Sequence, residues 1–148
     1  MNHKLPDAVA ILLYSKIIFP WETGLKSAKG CWDVNRTRAL LVDTDIDLKC
    51  VSAGEVEVEI SKRTSRSPRN FVYFLSSASQ MQDLFRHLRN CAAHASIRVE
   101  SPPSKGGPRL VFSGIQQRKI HLAVSGDLEL GVMSSLVATL ATSPAASE

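Results

Sequence analysis

Phe71-Val-Tyr-Phe-Leu75 is apolar at every position, and the next twenty residues carry apolar side chains at helical spacing. A strand with two apolar faces belongs in the middle of a covered sheet, because either face left wet would expose large side chains. Ser77-x-x-Gln80 has the spacing of a capping box at a helix start. Met81, Leu84, Phe85, Leu88 and Ala92 then fall on one face. Arg86 and Arg89 sit late in that helix, where the backbone dipole favours cations. A buried strand followed by an amphipathic helix restricts the chain to folds that lay helices on a sheet.

The 148 residues suffice for one domain with a real core. Residues 6–19 (PDAVAILLYSKIIF) carry a helix signal, Pro6 then Asp7, over a composition that also suits a buried strand. We read them as helix, and residues 20–35 as loop. Ile97–Glu100 reads as a short strand and SPPSKGGP (101–108) as a flexible connection. Arg109–Ser113 and Lys119–Val124 form a hairpin around Gly114. Asp127 is placed to cap a helix running to Leu140, and the last residues, 142–148, should fray. The predicted fold is a single α+β domain: a mostly antiparallel sheet of about six strands, with the helices at 77–94 and 127–141 on one face. Its parts are an N-terminal segment (1–37), a first β-β-β-α unit (38–95) and a second (96–141). The shared order suggests a pseudo-repeat that sets Phe71 on Ile120, Met81 on Leu130 and Leu88 on Val137.

Charge is segregated along the chain. Residues 43–59 (DTDIDLKCVSAGEVEVE) hold six acids and one lysine, whereas the rest hold 17 basic and 8 acidic residues. The acids stand at every second position, so Asp43, Asp45, Asp47 and then Glu55, Glu57, Glu59 read as the wet faces of two strands. Joined at a turn near Val51, these strands pair as a hairpin that sets Asp47 near Glu55, Asp45 near Glu57 and Asp43 near Glu59. Like charges facing across a ladder repel by about 0.2–1 kcal/mol per pair. Cations should therefore sit on this face, from the loop SKRTSRSPRN (61–70) or from another chain.

No template of known chemistry closes. Asp43-x-Asp45-x-Asp47 is similar to a calcium loop, but Leu48 stands where that loop needs glycine and Gly54 where it needs a bidentate glutamate. LLVDTD resembles the opening motif of haloacid-dehalogenase-like phosphotransferases, with Asp47 in place of their small hydroxyl residue. FVYFLSSASQMQDLFRHLRNCA resembles the last strand and helix of pleckstrin-homology domains, without the helix tryptophan. His87, Cys91 and His94 form a zinc-like stripe that lacks a fourth ligand.

The chain is therefore expected to be a non-enzymatic protein–protein interaction module, without cofactor or small-molecule substrate, binding a protein partner or itself as a homodimer. The six acids would form the docking face. Trp21 and Trp32 would either tuck over the core edge or anchor an interface. The alternative partner is nucleic acid, held by Lys62, Arg63, Arg66 and Arg69 with Arg86 and Arg89, and with Lys105, Arg109, Arg118 and Lys119 as further contributors. Three cysteines without CxxC spacing, and no apolar run near the ~20 residues of a membrane span, suggest a reducing, cytoplasmic location.

Overall fold

A computed structural model describes residues 6–24, 46–52, 54–76, 80–94, 96–100, 108–115 and 121–142. Asp43, Asp45, Trp32, Cys31 and Ser77 with its capping box lie outside the described residues.

Helix α1 runs through residues 7–23 in three joined stretches: α-helical Asp7–Leu13, π-helical Tyr14–Ile18 and α-helical Phe19–Thr23. Its buried residues are Val9, Leu13, Ile17 and Trp21, each four positions after the last. On an ordinary α-helix such a stripe drifts about 40° per step and would leave the core after three turns. The π stretch accommodates one extra residue and brings the stripe back into line. It also precedes Pro20, which lacks the donor an unbroken α-helix needs. The helical reading of 6–19 holds, and the helix extends into residues read as loop.

The remaining elements are β1 (Asp47–Val51), α2 (Glu55–Ser61), β2 (Phe71–Leu75), α3 (Gln80–Ala93), β3 (Ile97–Glu100), β4 (Arg109–Ile115), β5 (Leu122–Glu129) and α4 (Leu130–Thr142). The strands form one five-stranded mixed sheet in the order β1-β2-β5-β4-β3. β1 runs parallel to β2, and the other three pairings are antiparallel. Phe71–Leu75 is thus an interior strand, and β4 and β5 pair antiparallel as expected, but Gly114 lies inside β4 opposite Val124 and not at the turn.

Several expectations need correction. The described strands number five rather than about six, one pair is parallel, and the order does not repeat as β-β-β-α. The acidic hairpin is replaced by a parallel β-α-β step, because Glu55–Ser61 is helical. Gly54, at φ +84°, turns the chain out of β1, and Glu55 and Glu57 stand in the first turn where the dipole favours acids. The helix expected from Asp127 starts at Leu130, and Gly126-Asp127 belongs to β5. At Gly126 a side chain would overlap the Phe112 ring and come within 2.9 Å of the Phe71 carbonyl. That glycine serves close packing within the sheet.

Pleat alternation divides the sheet into two faces. Val72, Phe74, Leu110, Phe112, Val124 and Leu128 share one core with α1, α3 and α4. The other face carries Phe71 and Tyr73, and α2 lies against β2 and β5 there. On this face Arg109 is buried, its Nε 2.8 Å from Asp127 and its Nη2 3.0 Å from the Asn70 side-chain oxygen.

Candidate interaction surfaces

Three of the four described acids of the 43–59 stretch, Asp47, Glu57 and Glu59, are bonded within the chain. Arg63 donates to Asp47 (3.3 Å) and to the Tyr73 hydroxyl (2.7 Å), and it also bonds the Pro68 carbonyl. Its guanidinium lies 3.7 Å from the centre of the Phe71 ring, a cation–π stack. Tyr73 in turn donates to Asp47 at 2.6 Å. Burial pushes the phenol pKa up, and its hydrogen bond to Asp47 adds to the shift. Glu59 accepts from Lys49 at 3.1 Å and from Lys62 at 3.4 Å. The Lys49 bond lowers the Glu59 pKa and raises that of Lys49. Glu57 accepts the Leu122 amide at the start of β5 and lies 3.2 Å from His121 Nδ1. Glu55 is exposed in the first turn of α2. The cations on this face thus include Lys62 and Arg63 from the basic loop, together with Lys49, which belongs to β1.

The six cations named for anion binding do not converge. Lys62 and Arg63 are engaged as above, while Arg66 and Arg69 are exposed. Arg86 pairs with Asp83 at 3.0 Å, and Arg89 reaches Glu22 of α1 at 2.5 Å. The loop after α2 packs through Arg63 on one face of the sheet, whereas Arg86 and Arg89 ride on α3 across the other. Arg109 is spent on Asp127 and Asn70 and cannot add to a surface patch.

His87, Cys91 and His94 line an open groove of about 1020 Å³ between α3 and the ends of β4 and β5. His87 Nε2 donates to the Leu75 carbonyl at 2.8 Å, and burial lowers its pKa. Cys91 is 1% exposed, and burial pushes its thiol up to about 12. A metal ligand must be a thiolate, so this cysteine is poorly suited to the role. His94 is exposed. Among the described residues no group of three His, Cys, Asp or Glu is placed to hold a metal ion.

Of the two readings of Trp21, the core edge and not the interface anchor holds: it is buried and stacks on Phe85 at 5.9 Å between ring centres. Of the five exposed large apolar side chains among the described residues, three lie on the same helix away from its buried stripe, and Val58 and Ile115 are the others. Ile11, Tyr14 and Phe19 are 66%, 59% and 51% exposed, with the two rings 6.2 Å apart. The sequence held a signal for this stripe. Val9, Leu13, Ile17 and Trp21 already fill the inner face, so Ile11, Tyr14 and Phe19 are surplus to it. Among the described residues no helix is long and apolar enough to cross a membrane.

Comparison with protein-family models, with curated proteins and with solved structures finds no match to this chain.

Proposed function

We propose that this chain is a non-enzymatic protein–protein interaction module that presents the outer stripe of α1 to the apolar groove of a protein partner. The observation that carries this reading is the exposure of Ile11, Tyr14 and Phe19 on a helix whose inner face is already committed to the core. A row of large apolar side chains on an otherwise packed helix is the usual form of helix-in-groove recognition. Asp83 is held by Ser76 and Arg86, and Cys91 is a buried thiol. Four of the six candidate nucleic-acid contacts are bound to the chain's own acids.

The test has two arms. A photoreactive phenylalanine analogue at position 14 identifies the neighbour, which is then purified and titrated. It should bind the wild-type chain, and bind an Ile11→Ser/Tyr14→Ser/Phe19→Ser variant about tenfold or more weakly. Equal binding by the two chains overturns the proposal. So does tight binding of a mixed-sequence oligonucleotide that collapses between about 50 and about 200 mM salt and depends on Arg66 and Arg69.

A further inference from the structure

β3 is an edge strand, and among the described residues its only strand neighbour is β4. The Ser113 amide donates to the Ser96 carbonyl at 3.3 Å, and Ile97 pairs with Phe112. Main-chain groups alternate sides along a strand. Ser96, Arg98 and Glu100 therefore direct theirs to β4, while Ile97 and Val99 direct theirs to the side on which no strand lies among the described residues. Residues 97–100 contain no lysine, proline or bulge, and the devices that blunt this edge are its four-residue length and the charges of Arg98 and Glu100, which self-pairing in the right register turns from a deterrent into a match. Arg98 and Glu100 project on the face away from the three-helix layer, with side chains 66% and 48% exposed, and pair with each other at 3.1 Å.

From this edge we infer that two copies of the chain join through antiparallel pairing of β3 with β3, on a two-fold axis at Val99, into one continuous ten-stranded sheet. Self-pairing on a two-fold allows few registers, and charge selects among them. With the axis at Val99, the two Val99 residues exchange main-chain hydrogen bonds, and Arg98 of each copy stands opposite Glu100 of the other. That non-hydrogen-bonded position is where cross-strand side chains come closest. With the axis at Arg98, the two arginines face each other and both Arg–Glu pairings are lost. Val99 lies on the helix side of the sheet, partly buried against the core, so the two valines would meet beside each other and extend the apolar layer across the axis. Four residues per copy make a small contact, well below a standard interface, and the dimer should dissociate on dilution.

Sedimentation equilibrium over a hundredfold range of concentration, about the span needed to bracket a weak dimer, tests this. The wild-type chain should shift from monomer to dimer. Arg98→Glu or Glu100→Arg alone should weaken the dimer about tenfold or more, since each sets like charges across the axis. Arg98→Glu combined with Glu100→Arg restores opposite charges and should return the dimer to within about threefold of wild type. Both side chains are exposed, so thermal melts should show all three variants folded. A monomer at every concentration, a dimer indifferent to the single reversals, or one that the double reversal fails to restore overturns the inference. The Ile11/Tyr14/Phe19 variant should dimerise as wild type does, so the α1 surface and the β3 edge are tested separately.

Discussion

Arg63 sits in the most basic stretch of the chain, yet its guanidinium is part of the fold. It fastens the loop after α2 to the sheet through Asp47 and Tyr73, over the Phe71 ring, and ties the loop to itself through the Pro68 carbonyl. Removing it would leave Asp47 with the Tyr73 hydroxyl alone and uncover the ring. Arg63→Ala should cost about 1–3 kcal/mol of stability in denaturant unfolding. Arg63→Lys should recover only part of that, because a point charge cannot stack and bond three oxygens at once. Arg66→Ala, in the same loop but exposed, should stay within about 0.5 kcal/mol of wild type. An Arg63→Ala chain as stable as the Arg66→Ala chain would refute the clamp. Nothing in the sequence separates these arginines. Their difference comes from Phe71 and Tyr73 standing beneath one of them, and so depends on how the loop returns to the sheet.

At the scale of elements, the segment Glu55–Ser61 shows how an alternating pattern can mislead. Val56, Val58 and Ile60 would share one face of a strand. In the helix, Val56 and Ile60 face the sheet one turn apart, while Val58 is 41% exposed. The charges explain why this arrangement is favourable. Successive glutamates lie about 200° apart around a helix, so they separate instead of forming a second row opposite Asp47. One reaches His121 and β5, and the next reaches Lys49 and Lys62. A seven-residue helix is too short to be stable alone and depends on its contact with the sheet. Val56→Ala should therefore cost about 1–3 kcal/mol, whereas Val58→Ala should be neutral or slightly stabilising through helix propensity. Equal losses at both positions in urea unfolding would instead indicate a strand. By contrast, Ile97–Glu100 and the run from Met81 to Leu88 were legible as strand and helix. Their periodicity and their burial agree, and no long-range pairing was needed to read them.

Across the whole molecule, charge that is segregated along the chain is mixed in space, because β1, α2 and the basic loop fold onto one another. The parallel pairing of β1 with β2 was not legible, because the alternating acids of Glu55–Glu59 read as a second strand and so hid the helix of the crossover that joins them. The outer stripe of α1 was hidden by the same density of apolar residues that blurred helix and strand over 6–19. How this fold responds to pH follows from groups on its two faces. Burial lowers the His87 pKa below its ordinary 6.5, assisted by Arg86 and opposed by the Leu75 carbonyl and Asp83. The unfolded chain then binds a proton at pH values where the folded chain does not. The neutral ring's contribution is complete above about pH 6.5, and stability falls as pH drops through that value toward the lower folded pKa. The slope from one such group is at most about 1.4 kcal/mol per pH unit. Glu59 acts in a separate window: its pKa lies below 4.5 because Lys49 bonds the charged form, so its contribution is lost only as pH falls below that value. Thermal melts by circular dichroism should thus show two declines, one beginning near pH 6.5 and one below pH 4.5. His87→Gln, which keeps a donor for the Leu75 carbonyl but cannot titrate, should flatten the first decline and leave the second. A first decline of unchanged slope in that variant would show that another group carries it.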